Sequence, residues 1–358
     1  MRLLSFLKKH KQYANVILFL AVAFLTAYTI YKGINTTDLI KSMKQISLFW
    51  LILCIAAVLT FVLMEGIILW LLLKQKGKKL SIFRCIKYTL IGYFYSGLTP
   101  SASGGQPFQL YHMAKDGNGT AKSTAALLSM ALFYKLIMVL MGTGLCLYWS
   151  KGIKEYFGIY IWVYYLGLSL NVIVLLAILT FMSIPEKAKG IVHKVIHLLT
   201  KLKILKENHN RNEKIDSFIT GYKDSIGFLF SNKGKMGVLT LLTIIQRVSL
   251  LLIPVFIYMG LYLKTGNPLT IFLIQAAIYV AVDMLPLPGA QGITEIIYIN
   301  ALGSIFTEKY LTASMIITRS VSFYLIFIIG MAVVLLNGCD CIQRTKRSSH
   351  RLVKELES

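Results

Sequence analysis

The sequence predicts an all-α polytopic membrane protein with about six full transmembrane helices and two oppositely oriented re-entrant helical units. Three observations support this fold class. Hydrophobic residues make up 56% of the 358 residues, charged residues only 15%, and the mean hydropathy is +0.67. Apolar runs long enough to cross a bilayer recur between basic loops. Two further apolar stretches are broken by proline and glycine, as in helices that interrupt within a membrane.

Polar segments separate the six predicted full spans. The spans cover approximately residues 13–32, 48–73, 121–149, 157–183, 236–261 and 311–337. The first span has no small-residue cleavage site after it, so we expect a membrane anchor rather than a cleaved signal peptide.

The distribution of basic residues predicts that both termini are cytoplasmic. Of the 38 Lys and Arg residues, this topology places 28 on the inner side and 7 on the outer side, with three at membrane depth. Topology and contact with anionic inner-leaflet lipids account for the formal charge of +23, so no nucleic-acid partner is expected. The inner segment 184–235 includes amphipathic helices expected to lie on the inner leaflet, and 338–358 is a basic cytoplasmic tail.

The first broken unit, about 83–120, contains Thr99-Pro-Ser-Ala-Ser-Gly-Gly-Gln-Pro107. Proline and adjacent glycines end a helix, and broken backbone at membrane depth must be buried in protein or line a wet cavity. Pro107 suits the first position of a new helix, whose free N–H groups would favour an anion. The alternative is a kinked loop that only packs helices.

The second broken unit, about 268–303, turns at Leu285-Pro-Leu-Pro-Gly-Ala-Gln-Gly292. With both termini inside, the first unit would open to the cytoplasm and the second to the outside. Opposed broken units are typical of inverted-repeat transporters, whose substrate site lies near the middle of the membrane.

Six ionisable residues lie within apolar spans, where charge is costly and often functional. They could pair as structural ion pairs, or they could line a wet cavity that holds a lipid phosphate and a cationic head group. The full set of predicted substrate-binding residues is Glu65, Ser101, Ser103, Gly104, Gly105, Gln106, Lys135, Arg247, Asp283, Gln291, Glu295 and Arg319.

Signatures of soluble enzymes are missing from the sequence. It has no G-x-x-x-x-G-K-[ST], H-E-x-x-H or G-x-S-x-G pattern, so we predict no catalytic residues, metal or cofactor. His193 and His197 are more simply interfacial side chains than metal ligands, and Cys339 with Cys341 is a weak metal candidate.

Two long motifs carry a resemblance to a known family. The stretch Thr99–Asp116 resembles the first signature of the flippase-like transmembrane family, which includes the membrane domain of lysylphosphatidylglycerol synthases, or multiple peptide resistance factors. Pro286–Glu295 resembles the second signature, and Lys135 falls where the family often has Arg. The resemblance covers nearly the whole chain and implies a bacterial cell-membrane protein that handles phospholipid.

The chain departs from the family pattern at three positions. Gln106 and Gln109 stand where many members carry Glu and Arg, and Ala290 replaces a common Gly. These departures bear on the preferred head group more than on the fold. The family's synthases add a soluble domain that transfers lysine from lysyl-tRNA to phosphatidylglycerol. Only 21 residues follow the last predicted span, so we do not expect this chain to catalyse that transfer alone.

The leading functional hypothesis is a lipid translocator for an anionic or aminoacylated phospholipid, such as lysyl-phosphatidylglycerol, or a related glycolipid. The alternative is a phosphatidylglycerol lysyltransferase-type activity with a partner that supplies the synthase domain. A third hypothesis is a scaffold that recruits envelope enzymes through the basic loop. The head group, the direction and energy source of transport, and a homo-oligomeric state stay open.

Overall fold

The described part of the protein is a bundle of α-helices. The structure, a computed structural model, describes residues 36–74, 80–99, 104–183 and 211–336, and no β-strand occurs in these ranges. The helices are α1 (Thr36–Lys44), α2 (Leu48–Leu73), α3 (Ile82–Leu98), α4 (Gly105–Lys115), α5 (Thr120–Tyr148), α6 (Ser150–Phe157), α7 (Ile161–Ser183), α8 (Arg211–Ser231), α9 (Lys233–Leu251), α10 (Ile253–Gly260), α11 (Pro268–Val282), α12 (Ile293–Leu302) and α13 (Glu308–Arg319).

Within the described residues, five helical segments are long and apolar enough to cross a membrane. They are Leu48–Leu73, Thr120–Tyr148, Ser150–Ser183, Lys233–Gly260 and Glu308–Leu336. The 26 residues of α2 extend about 39 Å at 1.5 Å per residue, which exceeds the roughly 30 Å hydrocarbon core. Five of the predicted spans are thereby confirmed as helices, whereas the first, at 13–32, lies outside the described residues.

Local chemistry explains where several helices begin. The side chain of Asn232 accepts a hydrogen bond from the Lys235 N–H at 2.9 Å and caps α9. Asn267 caps α11 in the same way, and Pro268 occupies the first position of that helix. A break at Leu252, two residues before Pro254, separates α9 from α10.

Two helix–turn–helix hairpins correspond to the two broken stretches of the sequence. In the first hairpin, α3 packs against α4; in the second, α11 packs against α12. The sequence suggested that Pro107 is the first residue of a new helix. Helix α4 begins at Gly105 instead, so Pro107 is its third residue. The Thr99 hydroxyl accepts the Gly104 N–H at 2.8 Å, which closes the turn early. Proline is tolerated in this first turn because its N–H would have no intrahelical partner.

The bases of the two hairpins lie at opposite ends of α5. The base of the first lies where α2 ends and α5 begins: Tyr88 donates to Asp116 at 2.6 Å, and Lys122 donates to the carbonyl of Leu73 at 2.6 Å. The base of the second lies at the other end of α5, where the Asn300 side chain donates to the Tyr156 carbonyl beside α6 at 3.1 Å.

The end of α3 and the turn of the second hairpin both approach Phe323. This residue lies in a π-helical turn, Ser320–Tyr324, through which α13 continues to Leu336. A Cβ atom at Gly97, near the first turn, would lie 3.5 Å from the Phe323 ring, and one at Gly289, in the second turn, would lie 2.5 Å from it. Gly97 and Gly289 therefore allow α3 and the second turn to pack closely around the Phe323 ring.

Helix α8 lies within the inner segment 184–235, for which the sequence predicts amphipathic helices. Its buried Tyr222 and Ile226 pack in one apolar cluster with Leu132 of α5 and Leu175 of α7. The helix is therefore docked on two long helices through its apolar face. The rest of the predicted inner segment, 184–210, and the tail lie outside the described residues.

Candidate functional site

A network of hydrogen bonds holds the second hairpin turn to α13. Arg319 donates through Nε to Glu295 Oε1 at 2.7 Å and through Nη2 to the carbonyl of Gly289 at 2.9 Å. The other oxygen of Glu295 accepts the N–H of Gly292 at 2.7 Å. These bonds take two of the five N–H donors of the guanidinium, so the group retains capacity to bind an anion.

The backbone of this turn requires unusual conformations. Gly289 and Gly292 have positive φ angles of 60° and 84°, which glycine adopts without steric cost. Ala290 also has a positive φ, 51°, where a Cβ atom is unfavourable. The Glu295–Arg319 network therefore stabilises a turn that includes one strained residue.

A second buried ion pair attaches the hairpin to α5. Lys135, only 4% exposed, donates to Asp283 at the end of α11 and to the side chain of Asn171 at 2.9 Å. The hydroxyl of Tyr134 donates to the other oxygen of Asp283. The carboxylate of Asp283 is thereby bound through both oxygens, and the ammonium group has two acceptors.

Glu65 and Arg247 form a third polar cluster between α2, α3 and α9. Glu65 accepts hydrogen bonds from Tyr93 and, at 2.8 Å, from Gln246.

The guanidinium of Arg247 lies against two aromatic rings: its Cζ is 4.0 Å from the ring centre of Tyr134 and 5.1 Å from that of Phe61. Its buried Nε has no hydrogen-bond partner. Two of the three acids, Asp283 and Glu295, therefore form direct ion pairs. Tyr134 links the cluster of Glu65 and Arg247 to Asp283.

A cavity of about 200 Å³ lies beneath the second turn. Its charged lining residues are Asp283, Glu295 and Arg319, and its neutral polar residues include Gln275 and Tyr298. The lining comes from α5, α11, α12, α13, the turn between α11 and α12, and the π-helical turn that follows α13. Mixed charges around a concave volume suit a polar group that carries both an anion and hydrogen-bond donors.

The predicted site residues lie in different parts of the structure. Asp283, Glu295 and Arg319 line the cavity together, and Lys135 supports Asp283 from behind. Glu65 and Arg247 lie in the adjoining cluster, as described.

Gly104, Gly105 and Gln106, which are described at the end of the first turn, are not part of the cavity lining. Gly104 and Gly105 lie at the start of α4, and Gln106 is exposed there. Gly105 allows close approach to α3, because a Cβ atom would lie 2.1 Å from the hydroxyl of Ser96. Ser101 and Ser103 lie outside the described residues.

Gln291 has neither of its polar side-chain atoms hydrogen-bonded, although only 1% of the residue is exposed. A buried amide without partners costs free energy. This position in the second turn is thus a candidate contact for a bound ligand, as the sequence suggested.

Several residues of these clusters were not among the sequence predictions. They are Tyr93, Tyr134, Asn171, Gln246, Gln275 and Tyr298. Asn171, Gln246 and Gln275 share one signal that could have identified them, since each is a polar amide within an apolar helix. Tyrosine is too common in membrane helices to provide such a signal.

Fold and site together define a multi-pass helical membrane protein with ion pairs around a cavity at a broken-helix turn. The comparison with protein families makes the assignment more specific. The chain belongs to the family described as the lysylphosphatidylglycerol synthase TM region, which it matches over residues 14–330. No curated protein sequence matches the chain.

Proposed function

We propose that the protein moves a phospholipid between the two leaflets of the membrane. The lipid would be anionic or aminoacylated, for example lysyl-phosphatidylglycerol, or a related glycolipid. The two hairpins would insert as re-entrant units from opposite sides, so that their turns meet within the bilayer. The head group would pass between them while the acyl chains stay in lipid.

One observation carries this proposal: a cavity with charges of both signs lies at a broken-helix turn in an otherwise apolar bundle. Charges are expensive at such depth, and a bundle held only by packing has no need of them. The guanidinium of Arg319 retains N–H donors for a phosphate, and its present partner Glu295 would suit the amine of an aminoacyl group.

The test is head-group movement in proteoliposomes. Fluorescent phosphatidylglycerol and fluorescent lysyl-phosphatidylglycerol are compared, and quenching of the outer leaflet reports the protected fraction. We expect faster loss of protection with wild type than with Arg319→Ala or Glu295→Ala, by roughly tenfold or more, since each variant removes a charge-assisted contact.

Matched controls separate the cavity from general charge effects. Arg84 and Glu155 are exposed, so Arg84→Ala and Glu155→Gln should transport like wild type. Arg319→Lys keeps the charge but cannot form the two-atom contact, and it should be intermediate. Each variant must elute as a folded species in size-exclusion chromatography. Equal scrambling by wild type and both cavity variants would refute the proposal.

The family description favours a second candidate, a lipid-modifying activity with a separate synthase partner. Purified protein incubated with lysyl-tRNA and phosphatidylglycerol should then yield lysyl-phosphatidylglycerol only when that partner is added. Product formation by this chain alone would instead make it the enzyme.

A further inference from the structure

The cavity has two chemically different ends. Asp283, Glu295 and Arg319 form its charged end at the turn. Gln275 lies eight residues before Asp283 on α11, or about 12 Å along the helix axis, and Tyr298 lies three residues beyond Glu295 on α12. The end away from the turn is therefore lined by uncharged polar groups.

At this neutral end, the side chain of Gln275 has a polar atom without a hydrogen-bond partner. Only 4% of the residue is exposed, and its carbonyl oxygen Oε1 is buried without a hydrogen-bond partner. An unpartnered buried acceptor costs free energy unless a donor reaches it. Because the side chain lines the cavity, a bound molecule can supply that donor.

Two hydroxyl groups belong to the same end. The hydroxyl of Tyr298 lies 3.3 Å from both Ser314 Oγ and Thr318 Oγ1, which are long contacts for hydroxyl groups. Tyr298 and Thr318 are buried and line the cavity beside Gln275. Hydroxyls can donate or accept, so together with the amide they match a ligand that does both.

The charged end argues against an ammonium ion as the missing donor. Both oxygens of Asp283 are engaged, by Lys135 and Tyr134. Both oxygens of Glu295 are also engaged, by Arg319 and the N–H of Gly292. With these carboxylates neutralised, the neutral end offers no uncompensated negative charge, and a neutral donor fits it better than a cation.

We propose that Gln275, Tyr298 and Thr318 form a subsite for a neutral, hydroxyl-bearing part of the lipid head group, its glycerol or sugar moiety. The subsite rests on the proposed function, because it places the phosphate of the same lipid at Arg319. The cavity volume of about 200 Å³ has room for about six water molecules, and glycerol has six non-hydrogen atoms.

The test compares two lipids that differ only in hydroxyl groups. Phosphatidylglycerol and phosphatidylpropanol with identical acyl chains have the same charge and similar size. They compete at equal concentration for the detergent-solubilised protein, and native mass spectrometry counts each bound lipid. We expect wild type to prefer phosphatidylglycerol by roughly tenfold, the effect of one hydrogen bond to a buried acceptor.

Variants assign the preference to the subsite. Gln275→Leu should reduce it to less than about twofold, and Tyr298→Phe should reduce it partly. Gln275→Leu removes an unsatisfied polar atom and should therefore fold. Gln45 is exposed in the turn between α1 and α2 and does not line the cavity, so Gln45→Leu serves as the matched control and should keep the wild-type preference.

Two results would overturn the subsite: equal binding of the two lipids by wild type, or an unchanged preference in Gln275→Leu. A stronger preference for phosphatidylethanolamine that Gln275→Leu abolishes would also overturn it, because the donor would be an ammonium group. Binding is measured without transport, so failure of the subsite and of translocation are distinguishable. Hydroxyl preference without movement in proteoliposomes would refute the proposed function and leave the subsite standing.

Discussion

Breaking the Lys135–Asp283 pair should destabilise the protein far more than removing both of its charges. Lys135→Met leaves the Asp283 carboxylate buried with only the Tyr134 hydroxyl as its partner. Removal of one partner from a buried ion pair costs about 3–5 kcal/mol. Because the Tyr134 hydrogen bond survives, we expect a loss near the lower limit, about 3 kcal/mol.

The double variant isolates the pairwise contribution. In Lys135→Met/Asp283→Asn, the amide oxygen can still accept from Tyr134, and no buried charge remains unpaired. Replacement of both partners of a buried pair is often nearly neutral, so the double variant should lie within about 1 kcal/mol of wild type. The resulting coupling energy is then at least about 2 kcal/mol.

Reversible unfolding in mixed detergent micelles provides the assay. Helicity is followed by circular dichroism while the fraction of sodium dodecyl sulfate is raised, and each variant gives a free energy of unfolding. Lys154 is exposed, so Lys154→Met should change this value by less than about 0.5 kcal/mol. A single variant as stable as wild type, or a double variant no better than the single, would refute the reasoning.

Two further predictions concern backbone positions and use the same assay. Gly167→Ala should cost several kcal/mol, because its Cβ atom would lie 2.3 Å from the carbonyl oxygen of Ala281, whereas Gly144→Ala meets open space and should be neutral or stabilising by up to about 1 kcal/mol. Ala290→Gly should stabilise by about 1 kcal/mol, because φ is positive there, whereas Ala56→Gly in the exposed face of α2 should destabilise by a similar amount; equal signs for the two would contradict the argument.

Sequence reasoning predicted the helices well because hydropathy determines them. The spans at 48–73, 121–149 and 311–337 match helical segments within about three residues at each end. The breaks at the two turns were also visible, since proline and glycine act locally. The close packing of Gly97 and Gly289 around Phe323 could not be predicted, because it depends on how distant helices meet.

The pairing of the buried charges could not be predicted for the same reason. Lys135 and Asp283 are 148 residues apart in the chain, and helices that are apolar on every side give no periodic signal of which face meets which neighbour. Gln106 illustrates the limit from the other side: its place in the motif suggested a binding role, but it is exposed at the start of α4 and is not among the residues that line the cavity, so that role stays a prediction.

The family resemblance becomes physically interpretable at Ala290. The family often has glycine at this position, and the backbone here has the positive φ that glycine favours. The preference for glycine is therefore accounted for by the shape of the turn. A head-group contact is not needed to explain it.

The sequence left open whether the buried charges form structural ion pairs or bind a lipid head group. The observed ion pairs fit both interpretations, and their geometry indicates how the two can be reconciled. Lys135 holds the second hairpin to α5, whereas Arg319 holds it to α13, so the cavity lies between two electrostatic attachments. Opening a bare buried pair is costly, but a phosphate that replaces Glu295 on Arg319 keeps the guanidinium compensated. An amine on the same head group could then compensate Glu295. Under the proposed function, a lipid that carries both groups would loosen the hairpin at less cost than one that carries the phosphate alone, and the same pairs that stabilise the resting protein would select its substrate.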